Sequence, residues 1–278
     1  MRRSTGERLW AIAVWAVVVF FVVNLLAMIG SVLVNSFGTR WFNTWLPTGY
    51  TTQWYTLAWD EFRLPDILIV TVEVVGAVVL ISGLIGVPTA YAMARRNFPG
   101  KPAVMLLFLL PLLVPPITYG IPMATVLYQA HLGGNMSGVI LANLVPTVPF
   151  VVLVMVPFIE QIDPRVEAAA RVFGAGTGRL LLHVLVPLLA PGILAALLLV
   201  LVRTIAMFEL TFFTAGPGSQ TLVVALYYAV YAAGVRAGQS IDAMAVVYML
   251  TPLVWLLIAL HFVDPTQIVA RVKKESAT

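Results

Sequence analysis

Three charged residues stand inside apolar runs: Glu73, Arg203 and Glu209. A charge at membrane depth is costly and as a rule faces a partner or a watery cavity, so each is a candidate for contact with a passing solute. Arg203 and Glu209 are six residues apart, off any one helical stripe, and are not expected to pair with each other. Glu209 fits two roles, an acidic attractor for a cation or a cap on the following turn TAGPGSQT. Glu73 reads as a polar contact in packing or gating, and Arg203 as the partner of an acid in this or a neighbouring subunit. Phe208, next to Glu209, completes the candidate substrate path.

Covalent, metal and nucleotide chemistry find little footing. Cysteine is absent, which removes disulfides, iron–sulfur clusters and thiol catalysis. His131, His183 and His261 are far apart, with no His-Glu-x-x-His pair, so no metal site is expected. Gly174, Gly176 and Gly178 lack the lysine of a P-loop and follow a helical pattern rather than a strand, so they read as a turn. No catalytic residue is assigned. A passive channel would show a repeated filter or a ring of like charges, and neither is evident, which leaves channel and intramembrane enzyme as the weaker alternatives.

The elements that must hold these residues are membrane helices. Hydrophobic residues make up 61% of the chain and charged residues 10%, against roughly 25% charged in an ordinary soluble domain. A bilayer core of ~30 Å takes about 20 apolar residues of helix, and runs of that kind recur. They fall at residues 9–39, at 67–94, at 102–159 divided into two by the polar break 129–138, at about 188–213 and at about 243–262. That is an all-α membrane protein of about six spans. Residues 40–66 are polar and aromatic and suit an interfacial loop. The Pro-rich stretch LLPLLVPPITYGIP at 109–122 is expected to kink or unwind its helix. Residues 222–231 are too short for a crossing and read as a re-entrant or interfacial helix on the outer side, before the polar linker AAGVRAGQSIDA.

Orientation follows from lysine and arginine, which concentrate in short cytoplasmic loops. With the N-terminus inside, twelve lie on the inner side, three (Arg40, Arg63 and Arg236) on the outer, and Arg203 within the membrane. Both termini are therefore expected inside. The net charge of +4 is spread over short joints between apolar runs rather than over a polar domain, which argues against nucleic acid as a partner.

One inner joint is too long to be a mere connection. Residues 163–187 carry a charged stretch and then an apolar one. Ala168, Ala169 and Ala170 favour a slim helix, and Gly174 and Gly176 permit the positive φ of a sharp reversal. A second apolar helix is expected at 180–186, ended by Pro187. The product is a helix–turn–helix on the inner membrane face, built to dock.

This joint resembles the signature of permease subunits of binding-protein-dependent ABC importers: Glu-Ala-Ala, then Gly, nine residues, an aliphatic, any residue, an aliphatic and Pro. Here Gly174 is followed by nine residues and then Val184, Leu185, Val186 and Pro187. The family places its Glu six residues before the Gly, whereas Glu167 stands seven before, with Ala168 in the acidic position. Either neighbouring acids are interchangeable or the contact made by Glu167 is altered. The stretches GVPTAYAMARRNFPGK at 86–101 and FELTFFTAGPGSQTLVVALY at 208–227 resemble the same family, especially its polyamine-type branch.

The resemblance implies a type I importer in which this chain, at the inner membrane of a bacterium, works with a second permease subunit, a pair of ATPase subunits and an extracytoplasmic binding protein. ATP and Mg would be held by the ATPase, with no cofactor in this chain. Glu167, Ala168, Ala169, Arg171, Gly174, Arg179 and Pro187 would form the loop that seats in the ATPase. Arg171 and Arg179 would meet acidic groups there, or remain solvated, and Glu167 a basic one. Implied organisation is an N-terminal helix and outer loop at 1–66, a permease core at 67–264 and a cytoplasmic tail at 265–278. Polyamine resemblance and Glu209 lean towards a small organic cation, while relatives with the same loop carry sugars, phosphonates, ferric iron or thiamine.

Overall fold

The computed structural model describes residues 5–42, 44–231 and 236–262. The expected tail at 265–278 and part of the linker before residue 238 lie outside them. Twelve α-helices and one π-turn follow one another among the described residues: α1 Thr5–Phe37, α2 Gln53–Glu61, α3 Leu64–Arg95, α4 Lys101–Leu113, α5 Pro116–Gln129, α6 Met136–Glu160, α7 Pro164–Val172, α8 Thr177–Leu180, the π-turn Leu181–Leu185, α9 Val186–Ile205, α10 Glu209–Thr214, α11 Leu222–Tyr231 and α12 Gly238–Phe262. Five segments are long and apolar enough to cross a membrane, and α4 with α5 makes a sixth if that bent pair counts as one span.

The chain divides into two compact units, Met1–Leu64 with Tyr228–Met249, and Pro65–Tyr227 with Leu250–Thr278. In the first, residues 40–66 are not the plain loop expected. They contain α2, which is pinned to the end of α1: Trp54 Nε1 donates to the Gly38 carbonyl at 2.7 Å, and the Tyr55 ring lies 4.9 Å from that of Phe37. Ala58 and Phe62 are buried, so this helix exists through its anchors rather than its length. In the same unit Arg236 pairs with Glu61 at 2.9 Å and lies over the Phe62 ring.

The second unit is organised around α6, the span with the largest buried share. Val151, Val152, Met155 and Ile159 of α6 share a core with Val74, Val78, Ala90 and Tyr91 of α3, and with Leu180, Leu185, Leu189 and Val200 of the α8–α9 run. Small residues permit the close crossings. A Cβ at Gly86 would meet Val151 Cγ1 at 2.6 Å, and one at Gly192 would meet Phe158 at 2.9 Å.

Proline ends α4 abruptly. Val114 and Pro115 are extended, as the residue before a proline tends to be, and α5 leaves at 99° to α4. Pro111 and Pro122, by contrast, lie within helices. The span expected at 188–213 is also divided. It stops at Ile205 and restarts as α10, so Arg203 and Glu209 sit on different helices. The break carries neither glycine nor proline. Packing produces it: Leu210 and Thr211 are buried, and Asn143 of α6 donates to Thr211 Oγ1 at 3.2 Å.

Candidate functional site

The joint after α6 forms a hairpin built from local rules. Asp163 caps α7 by accepting from the Arg165 N–H at 2.9 Å, with Pro164 in the first turn, where its missing donor is harmless. At the other end Gly174 takes φ +83°, its N–H donates to the Arg171 carbonyl at 2.9 Å, and the Ala175 N–H donates to the Ala170 carbonyl at 3.1 Å. These two bonds and the left-handed glycine make a Schellman turn. Gly176 has φ −69° and is extended, so the reversal needs only one special glycine rather than the two expected.

Beyond the turn, the second helix does not end at Pro187. Residues Thr177–Ile205 run on as one apolar segment through the π-turn, and Pro187 lies in the first turn of α9. A proline cannot donate to the carbonyl one turn back, and the wider π register immediately before it accommodates the ring. Leu180 and Leu185 are fully buried in the core of the larger unit, so the hairpin is packed onto the spans.

The outward face of the hairpin is apolar and basic. Val172 and Phe173 are 85% and 91% exposed at its tip, and Ala168, Ala169, Arg171 and Arg179 are exposed around them. Glu167 does not share that face. It is 7% exposed, its Oε1 accepts from Arg95 Nε at 2.6 Å, and its Oε2 accepts from the Tyr91 hydroxyl at 2.8 Å. Arg95 Nη2 also donates to the Ile162 carbonyl at 2.5 Å, and Arg171 lies within electrostatic reach of Tyr91. The basic group that Glu167 meets is thus in its own chain. Tyr91 and Arg95 lie in the stretch 86–101 that resembles the family, where nothing in the sequence ties them to Glu167, although their spacing of four puts them on one face of α3.

The polar residues among the spans gather only in part. Arg203, at the end of α9, holds its guanidinium 5.4 Å from the centre of the Phe150 ring, a cation–π contact with α6. Arg203 and Glu209 both lie within electrostatic reach of Tyr119 on α5. Phe208 stacks on Phe212 at 5.1 Å and meets Tyr227 at 4.8 Å, giving an aromatic cluster beside Glu209. Glu73 lies on the exposed side of α3, and among the described residues no hydrogen bond or ion pair joins it to Arg203 or Glu209. No cluster of metal-ligating side chains occurs among the described residues.

Residues 82–269 match the family of binding-protein-dependent transport system inner membrane components. The chain belongs to that family. Its members are permease subunits rather than enzymes, and the match spans the hairpin, α6, α9 and the aromatic cluster. The chain is 32% identical over 130 residues to the molybdate/tungstate transport system permease protein WtpB of Thermococcus kodakarensis, a match to 47% of this chain and 52% of that one. It thus spans about half the length of this relative. It is 25% identical over 247 residues to the spermidine/putrescine transport system permease protein PotC of Escherichia coli, covering 88% of this chain and 89% of that one. In fold it is similar to a chain in the crystal structure of a bacterial ABC transporter involved in the import of the acidic polysaccharide alginate, with TM-score 0.72, 17% identity and full coverage of both chains. The ABC importer permease fold expected from the sequence is the fold found.

Proposed function

We propose that this chain spans the inner membrane of a bacterium with both termini inside and, with a second permease subunit, forms the path of an ABC importer. The hairpin seats on a separate ATPase pair, which holds ATP and Mg. Closure of that pair displaces the hairpin and rotates the spans packed on it, opening the path alternately to each side. Solute arrives from an extracytoplasmic binding protein. The observation that carries this reading is the hairpin itself: a capped helix and a Schellman turn hold a large apolar side chain, Phe173, almost fully in the open among arginines.

The test is purification of the chain with its partners intact, identification by mass spectrometry, and ATPase assay with candidate binding proteins. A P-loop ATPase should co-purify with the unaltered chain and be lost with Phe173→Asp, which leaves the buried side of the hairpin untouched. Recovery of equal ATPase with both would remove the hairpin from the interface.

For the solute we infer a small organic cation such as a polyamine, supported by the aromatic rings beside Glu209 and by the likeness to the spermidine/putrescine permease. Arg203 favours a second reading, an oxyanion, for which the molybdate/tungstate relative speaks. In proteoliposomes Glu209→Gln should depress uptake of spermidine. Depression of molybdate uptake by Arg203→Gln, with no spermidine uptake in the unaltered protein, would replace the first reading by the second.

A further inference from the structure

Glu167 is the one buried charge in a joint whose other charges face solvent, and its surroundings are specific. Both carboxylate oxygens are engaged, by Arg95 Nε at 2.6 Å and by the Tyr91 hydroxyl at 2.8 Å. Side-chain exposure is 15% for Arg95 and 10% for Glu167, so water competes little for the pair. Arg95 is the last residue of α3, and the same guanidinium holds the Ile162 carbonyl in the link between α6 and α7. α7 is therefore fastened to α3 at two points, near its start through Ile162 and at its middle through Glu167. Two charge-assisted bonds from one guanidinium, with a third bond to the carboxylate from Tyr91, fix the direction of α7 as well as its distance from the end of α3.

Burying an ion pair is poor evidence for stability, because desolvation offsets much of the attraction, and such pairs are best explained where a fixed geometry matters. We propose that Glu167 is a positioning residue that, through Arg95 and Tyr91, clamps α7 to the end of α3, so that a displacement of the hairpin is delivered directly to that membrane helix. The proposal rests on the importer reading above and deepens it. In that mechanism α3 is driven through a polar strut, while α9 is driven through the continuous run from the turn. The acid acts inside the chain, and the ATPase meets the opposite side of α7.

The absence of cysteine allows the clamp to be measured without disturbing it. Spin labels at Arg165→Cys on α7 and Leu84→Cys on α3, both exposed positions, report the distance between the two helices in the assembled importer. The distance should stay constant between the nucleotide-free and ATP-bound states, although each helix moves relative to the rest. With Glu167→Gln added, the distance should become state-dependent, and uptake per ATP hydrolysed should fall by about tenfold, within the range found for residues that carry coupling between sites. The ATPase should still co-purify with Glu167→Gln, since the substituted side chain does not face it. A distance that changes with ATP in the unaltered clamp overturns the proposal, as does loss of the ATPase from the Glu167→Gln complex. Failure of the unaltered chain to bind any ATPase would instead defeat the importer reading, a separate and recognisable outcome.

Discussion

The crossing of α3 and α6 gives a prediction whose size can be worked out. A Cβ added at Gly86 would lie 2.6 Å from Val151 Cγ1 and 2.7 Å from Val151 Cβ. Val151 is fully buried, so its side chain has nowhere to swing. Carbon atoms rest about 3.5–4.0 Å apart, so Gly86→Ala forces the two helices apart by about 1 Å. Overpacking of that kind costs about 1–3 kcal/mol, against a gain of about 1 kcal/mol for replacing a helical glycine by alanine. Gly76 of α3 supplies the control, since a Cβ there meets nothing within 4 Å. Gly76→Ala should stabilise the chain and Gly86→Ala should not, and the difference between them isolates the packing cost. Gly83→Ala should fall between, because the atom it meets at 2.9 Å is the mobile end of Leu197. Unfolding in mixed micelles titrated with dodecyl sulfate reads all three. Adding Val151→Ala to Gly86→Ala should relieve only part of the cost, because the Val151 Cβ remains. Equal shifts for Gly76→Ala and Gly86→Ala would refute the reasoning.

Two further glycines make separate predictions. Gly174 has open space around it but φ +83°, so Gly174→Val is opposed by backbone strain alone, about 1–2 kcal/mol, and Gly174→Asn by less. Uptake should be lost with Val and largely kept with Asn, and equal uptake by the two would show that the Schellman turn is dispensable. A Cβ at Gly216 would lie 2.4 Å from the Gly134 carbonyl, so Gly216→Ala must break the bond from the Gly134 N–H to the Thr214 carbonyl. Amide exchange at Gly134 should then quicken by about tenfold or more, and unchanged protection would refute the close approach.

The spans were legible because charge-free length is what a bilayer demands, and the hairpin because its caps are local. Asp163-Pro164 and Gly174 mark the ends of α7 by the groups they supply or withhold, with no help from the rest of the chain. Pro115 and Pro116 announced a break, though not its 99° angle, which depends on where α5 packs. The division of α9 from α10 was not legible. Residues 206–208 are Ala, Met and Phe, which suit a continuing helix, and the chain turns there because Leu210 and Thr211 find partners on α6 and α5. For the same reason the partner of Glu167 was hidden: Arg95 is 72 residues away, and only folding brings it near.

That pairing accounts for the acid standing one residue early in the Glu-Ala-Ala signature. One residue along an α-helix is a turn of about 100°, so acids at 167 and 168 would point in quite different directions. Position 168 is exposed and holds alanine, while position 167 is buried and holds the glutamate. The acid of this chain thus stands at the position that points inward, and the position that points out carries no charge. From Pro164 to Arg179 every exposed charge is therefore positive, namely Arg165, Arg171 and Arg179, with Val172 and Phe173 between them. A partner cleft lined with basic groups would be repelled by such a face. The surface calls for an apolar pocket with acidic groups at its rim, and charge pairs on such a rim act chiefly on the rate of association and on its sensitivity to salt.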